Sequence, residues 1–173
     1  MQIVKHFLAL FLLVPMLINA QSNPFKSLKY DKVVAYEFRG DGGRVIEHCL
    51  KNDKKRISKH VELTTKQIQD LESILTSNSS YGSTKALCFD PHFGVVYYNK
   101  NQIIGSIDIC LDCNYLAASE DIPATRIKMI SVSDNYSYPA DGFSKEARRS
   151  IDEFCKKLGF TKYLKPLSSI FDQ

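Results

Sequence analysis

The fold is decided by the stretch GVVYYNKNQIIGSIDICLD, residues 94–112. Two runs rich in β-branched and aromatic residues flank the polar sequence NKNQ, and this pattern is typical of a β-hairpin. A turn centred in NKNQ pairs Tyr98 with Ile103, and pairs each residue further out with the one equally far from the turn. The stretch therefore predicts an antiparallel hairpin at the centre of the fold.

Further β-strands are predicted on both sides of this hairpin. Residues 32–38 are rich in strand-forming side chains, and the turn signal GDGG follows them at 40–43. Residues 44–50 are expected to form the returning strand of an earlier hairpin, and residues 56–63 a third strand. One more strand is expected around residues 127–132.

Two amphipathic helices are predicted, one before and one after the central hairpin. Thr64 followed three residues later by Gln67 is a capping-box pattern. Ser144 is a good N-cap for the last helix, whose Ile151, Phe154 and Leu158 are expected to dock it onto the sheet. The fold class that follows is α+β, with a small antiparallel sheet of hairpins packed by two amphipathic helices.

Export is predicted from residues 1–20, which have the pattern of a cleavable signal peptide. Basic side chains at Lys5 and His6 precede an apolar run at residues 7–18, and Ala20 is a small residue at the cut. The run is too short to span a bilayer. We therefore expect a protein without a membrane span that is exported to the periplasm or the extracellular space.

The rest of the chain is expected to form a single domain. Residues 21–30 are predicted to be a flexible lead-in, residues 31–163 the α+β domain, and residues 164–173 a C-terminal tail. The formal net charge is +4, from 23 Lys and Arg against 19 Asp and Glu. This weakly basic balance does not favour a nucleic-acid partner.

The cysteines are the most distinctive feature, and an exported protein is expected to oxidise them. Extending the hairpin register outward places Cys88 opposite Cys113, with His92 on the same face and Cys110 on the other face. A cross-strand disulfide between Cys88 and Cys113 is the first expectation. Pro91 is a site where a bulge is expected, and a bulge there would pair Cys88 with a neighbour of Cys113 instead of with Cys113.

Other interpretations of the cysteines stay open. A zinc site using Cys88, Cys110, Cys113 and His92 is the alternative to the disulfide. A thioredoxin-like redox site needs a helix directly after its Cys-x-x-Cys sequence, and none is expected here. A second disulfide between Cys49 and Cys155 would leave one cysteine unpaired.

One family resemblance rests on these residues. The block from CFDPH at 88–92 to ICLDC at 109–113, followed by GFSK at 142–145, resembles a group of uncharacterised exported bacterial proteins. The similarity spans residues 63–158, and its members share a Cys-aromatic-x-Pro start and a Cys-x-x-Cys end. The resemblance implies a bacterial envelope location and no particular activity.

No catalytic residue is assigned from the sequence. The nucleophile elbow and the His-Glu-x-x-His helix of common hydrolases are missing from the sequence. Asp108 and Asp112 fit a general acid/base pair, although solvated strand carboxylates are several times commoner. The leading hypothesis is a non-enzymatic module that binds a protein partner or a small ligand, and the alternative is a metal-binding or thiol-dependent protein.

Overall fold

The computed structural model describes residues 23–171. The predicted signal peptide, residues 1–20, lies outside the described residues. Within the described range, no helix combines the length and the apolar character needed to cross a membrane.

The fold is α+β, as predicted, and is built on a five-stranded antiparallel sheet. The strands are β1 (Lys32–Phe38), β2 (Ile57–Glu62), β3 (Tyr81–Ser83), β4 (Phe93–Asn99), β5 (Gln102–Cys110), β6 (Tyr115–Ala118), β7 (Met129–Ser133), β8 (Tyr136–Pro139) and β9 (Gly142–Phe143). The helices are α1 (Ile46–Asn52), α2 (Thr65–Thr76) and α3 (Lys145–Lys157). The sheet order is β2-β1-β4-β5-β6, while β3 pairs with β9 and β7 with β8.

Both faces of the central strands are covered. Side chains of a strand alternate between faces, so Val33 and Ala35 of β1 enter the core cluster that also contains α2 and α3. Val34 and Tyr36 enter a smaller cluster on the other face, together with residues of α1. Six of the seven β1 residues are therefore buried, which is the pattern of a strand between two layers.

Both predicted helices are confirmed, with the expected caps. The Thr64 hydroxyl accepts a hydrogen bond from the Gln67 amide, and the Gln67 side chain accepts one from the Thr64 amide. The Ser144 side chain accepts from the amide of Ala147 at the start of α3. Gly159 follows α3 at a φ of 72°, in the left-handed region that a glycine adopts without a Cβ penalty.

The prediction of a returning strand at residues 44–50 is wrong, because this part of the chain forms α1. Ile46 and Cys49 are three residues apart and both fully buried, which is helical spacing. The Ile46 amide donates a 2.7 Å hydrogen bond to the carboxylate of Asp108 on β5. A contact across 62 residues therefore fixes the start of a helix that has no side-chain cap of its own.

The register of the central hairpin is confirmed at the turn and shifts beyond it. Tyr98 pairs with Ile103 as predicted, but Tyr97 pairs with Gly105, so Ile104 is an extra residue on β5. Every pair further out is displaced by one position. The ladder between β4 and β5 ends at the pair Phe93–Ile109, so Cys88 and Cys113 lie in the loops beyond it.

The two segments expected outside the domain pack against it. Phe25, in the predicted lead-in, is buried and stacks on Tyr97 with 5.5 Å between the ring centroids. Phe171, in the predicted tail, is also buried, and its ring lies 5.2 Å from the Arg148 guanidinium. The packed domain thus includes both ends of the described chain.

Candidate functional site

Three sulfur atoms gather where β5 turns into β6. A disulfide bond joins Cys110 to Cys113, with their Cα atoms 5.2 Å apart. The Cys88 thiol is free, and its Sγ lies 3.1 Å from the Sγ of Cys113. Cys113 is therefore bonded to Cys110 instead of Cys88, and Cys110 lies beside Cys113 instead of on the opposite face.

The tight turn after β5 explains this change of partner. The chain reverses over residues 111–114, which brings Cys113 back beside Cys110. Asn114 ends the turn at a φ of 64°, a conformation that asparagine tolerates better than most residues. Its buried side-chain amide donates to the carbonyls of Thr84 at 2.7 Å and Phe143 at 3.1 Å. These contacts anchor the turn to β9 and to the loop that carries Cys88.

The loop around Cys88 is held at both ends. The Ala86 amide donates to the Cys113 carbonyl at 2.9 Å, and the Asp90 amide donates to the Cys113 Sγ at 3.4 Å. Two amides of the GDGG turn, from Gly42 and Gly43, donate to the Asp90 carboxylate. Cys88 is thus positioned between two anchored residues, each in contact with Cys113.

The three sulfurs differ sharply in their access to solvent. Cys110 and Cys113 are each 1% exposed, whereas Cys88 is exposed. Its neighbour Leu87 is fully exposed. Of these three cysteines, an external molecule reaches only Cys88.

Backbone amides point at both sulfurs of the disulfide. The Cys113 amide donates to the Cys110 Sγ at 3.1 Å, and the Asp90 amide donates to the Cys113 Sγ at 3.4 Å. Hydrogen bonds of this kind stabilise a thiolate more than a disulfide sulfur, because the thiolate carries a negative charge. Either sulfur is therefore a favourable leaving group if the disulfide is attacked.

The predicted zinc site is not supported by the arrangement. The Nδ1 of His92 lies 3.3 Å from the Phe38 carbonyl, and the ring packs beside Tyr163. Across residues 23–171, no three side chains among His, Cys, Asp and Glu are placed to hold a metal ion. The geometry favours sulfur chemistry among the cysteines themselves.

The predicted second disulfide, Cys49–Cys155, is not formed in the structure. Both thiols are free and fully buried, Cys49 under α1 and Cys155 under α3. The two residues belong to core clusters on opposite faces of the sheet, so the sheet separates them. Burial raises the pKa of both thiols, which keeps them protonated and unreactive.

Asp108 is a buried carboxylic acid whose burial the sequence did not predict. It was considered a solvated strand carboxylate, but it is 3% exposed and lies under the start of α1. Its pKa is raised to about 7. Burial is the main cause, the negative charge of nearby Glu47 adds to it, and the hydrogen bond from the Ile46 amide acts in the opposite direction. Gly94 lies opposite it on β4, where a Cβ would collide with Ile46. That glycine was the one available signal of close packing here.

The concave surfaces give little support to a small-ligand site. Five clefts have volumes between 240 and 370 Å³, at or below the low end for ligand pockets. Cys88 lines none of these five. The Cys88 thiol is thus exposed at the surface and lies outside these five clefts.

Comparison with known proteins adds no assignment. No family model, curated protein or solved structure matches this chain. The chemistry of the site consequently has to be inferred from its own geometry.

Proposed function

We propose that this protein is an exported thiol–disulfide exchange protein in which Cys88 connects a buried disulfide to external thiols. One observation carries the proposal: an exposed free thiol lies 3.1 Å from a sulfur of a disulfide whose own atoms are almost inaccessible. Thiol–disulfide exchange requires contact between the attacking sulfur and the disulfide, and this loop supplies it.

The first step is an exchange within the protein. The Cys88 thiolate attacks the Sγ of Cys113, so that a Cys88–Cys113 bond forms while the Cys110–Cys113 bond breaks. Cys110 leaves as a thiolate that accepts the Cys113 amide hydrogen bond. Cys88 releases one proton and Cys110 takes one up, so the step changes neither the number of protons nor the oxidation state. Its effect is to move the disulfide to the surface.

The second step passes the oxidising equivalents to an external dithiol. One external thiolate attacks the Sγ of Cys88, and Cys113 leaves with the Asp90 amide beside it. The second external thiol then attacks the mixed disulfide and releases Cys88. The external dithiol becomes a disulfide, and the protein gains two electrons as the thiols of Cys88 and Cys113. An external disulfide reverses these steps and oxidises the protein again.

The compartment supports this assignment. The predicted signal peptide and the resemblance to exported bacterial proteins support a location outside the cytosol. Structural and catalytic disulfides persist in such compartments, whereas cytosolic thiols are kept reduced. A disulfide at Cys110–Cys113 is compatible with export.

The experiment maps the disulfides of the exported protein after acid quenching and alkylation. We expect two linkages, Cys110–Cys113 and Cys88–Cys113, that interconvert when the protein is incubated before quenching. Cys88→Ser should retain the first linkage and slow the oxidation of dithiothreitol by about a hundredfold, because the remaining disulfide is 1% exposed.

The matched controls are the buried cysteines. Cys49→Ala and Cys155→Ala should leave the oxidation rate within about twofold of the wild type, since neither thiol reaches solvent. A single fixed linkage at every incubation time, together with an unchanged rate in Cys88→Ser, would contradict the proposal.

Binding of a partner protein is the second candidate function, and one observation favours it. The β7–β8 hairpin forms its own two-stranded sheet and exposes large apolar side chains. They are Met129, Val132, Tyr136 and Tyr138, and Ile127 is exposed just before β7. Residues 127–139 contain one lysine and one aspartate, so an uncharged apolar protein surface fits them better than a nucleic acid.

A site-specific photocrosslinker tests this second function. Crosslinkers at Val132 and Tyr136 should both reach the same protein in the exported compartment, while one at the equally exposed Ile170 should not. Identical products from all three positions would argue against a binding surface on this hairpin.

A further inference from the structure

The main chain beside Cys88 has unused hydrogen-bonding groups. Within the described residues, the backbone N–H and C=O groups of Leu87, Cys88 and Phe89 make no hydrogen bond to another part of the chain. Ala86 and Asp90, on either side, are both anchored to Cys113. The free groups therefore lie on a loop that is anchored on both sides, next to the Cys88 thiol.

Apolar surface surrounds the same thiol. Leu87 is fully exposed on one side of it. On the other side, the ring of Phe89 packs on Tyr115 with 4.8 Å between centroids. An apolar side chain brought close to Cys88 would bury part of this surface and gain the corresponding transfer free energy.

The cations near the site already have carboxylate partners. The Lys85 Nζ lies 2.5 Å from Asp141 and above the Tyr115 ring. The Lys165 Nζ lies 3.2 Å from Asp112, inside the Cys-x-x-Cys turn. A small acidic thiol such as glutathione would have to compete with Asp141 and Asp112 for these two lysines.

We infer that the external partner of Cys88 is a cysteine in a polypeptide segment with apolar neighbours, and not a small acidic thiol. The inference rests on the proposed function and names its substrate class. The main chain of such a segment would hydrogen-bond to residues 87–89 on either side of the reacting sulfurs. Its apolar side chains would pack on Leu87 and on the Phe89–Tyr115 pair.

The test compares three thiols as reductants of the oxidised protein. They are glutathione, a short peptide with one cysteine between leucine and valine, and the same peptide with N-methyl groups on the residues flanking the cysteine. After correction for thiol pKa, the unmodified peptide should react about tenfold faster than glutathione. N-methylation should remove most of this advantage, because it blocks main-chain hydrogen bonds.

Leu87→Ser is the matched variant, with Ile170→Ser as the control at another exposed apolar residue. Leu87→Ser should reduce the preference for the peptide to about threefold or less while the glutathione rate stays constant. Ile170→Ser should change neither rate. Equal rates for all three thiols would overturn the inference.

A Cys110→Ala variant separates this inference from the proposed function. Its only neighbouring sulfur pair is Cys88–Cys113, so the external step is measured without the internal exchange. A peptide preference in this variant, combined with no interconversion in the wild type, would refute the internal exchange and retain the substrate class. Interconversion in the wild type without a peptide preference in either protein would retain the internal exchange and refute the substrate class.

Discussion

The two faces of the central sheet are stabilised in different ways. On one face, α2 and α3 cover a large apolar cluster, and each helix begins with its own side-chain cap. On the other face, α1 contributes Ile46 and Cys49 to a small cluster and has no side-chain cap. Its first turn is instead fixed by β5, where Asp108 accepts from the Ile46 amide and Ser106 donates to Glu47. The first face therefore depends on local signals and burial, and the second on long-range polar contacts.

The largest expected effect on stability is at the face of the central sheet that α2 and α3 cover. Phe154→Ala should lower the free energy of unfolding by about 3–5 kcal/mol, because a buried aromatic side chain is replaced by a cavity. Phe154 packs near Phe93, with 6.2 Å between ring centroids. Urea unfolding of the two proteins measures the difference, with the half-buried Phe89→Ala as a control that should cost less. A loss below about 1 kcal/mol would mean that α3 contributes little to this face.

This contrast also explains how much of the fold the sequence predicted. Helices α2 and α3 were located because Thr64 with Gln67, and Ser144, are local capping signals next to apolar stripes. Helix α1 was mistaken for a strand, since its start depends on Asp108, 62 residues away. The secondary-structure propensities of residues 44–50 carry no information about such a distant contact.

The cysteine site was predicted in part, for a similar reason. The sequence identified Cys88, Cys110 and Cys113 as one cluster from the hairpin alone. Their pairing depended on the extra residue Ile104 and on the turn at residues 111–114, which moved Cys113 away from the ladder. A single bulge or a tight turn after a strand has a weaker sequence signal than the alternation of apolar and polar residues that marks a strand.

The next effect concerns the face of the sheet that α1 covers, where Asp108 makes the free energy of unfolding depend on pH. Asp108 has a pKa of about 7 in the folded protein, above the ordinary value of about 3.9 in an unfolded chain. The folded state therefore holds this proton more tightly, so the associated stability is present at low pH and is lost as the pH rises from about 4 to 7. We expect this loss to be on the order of 2–4 kcal/mol.

Asp108→Asn isolates this contribution, because the amide is neutral and its oxygen still accepts from the Ile46 amide. Unfolding free energies of both proteins should be measured from pH 4 to pH 8. The wild type should lose stability relative to the variant as the pH rises to about 7, and the difference should then level off. Parallel curves over the whole range would show that Asp108 is not the group responsible.

A third effect is expected at the end of the sheet, where the cysteine turn is anchored. Asn114→Ala removes the hydrogen bonds to the carbonyls of Thr84 and Phe143, and it places a Cβ-bearing residue without a polar side chain at a φ of 64°. The cost should be about 2 kcal/mol in urea unfolding. Asn114→Gly separates the two causes, because glycine loses the hydrogen bonds without the backbone strain. If the glycine variant matches the wild type, the amide contacts contribute nothing.

The smallest expected effect returns to the polar face and asks whether Asp108 acts alone. The Ser106 hydroxyl donates to the Glu47 carboxylate at 2.9 Å, and Glu47 also pairs with the exposed Lys51. Ser106→Ala should lower the free energy of unfolding by about 1 kcal/mol, the usual net contribution of one intramolecular hydrogen bond. Glu47→Gln and the double variant complete a cycle that isolates this pair. An interaction energy near zero would mean that Ser106 and Glu47 do not stabilise the first turn of α1. The Asp108 carboxylate would then be the polar contact from β5 that does so, and the contrast between the two faces would depend on this buried acid.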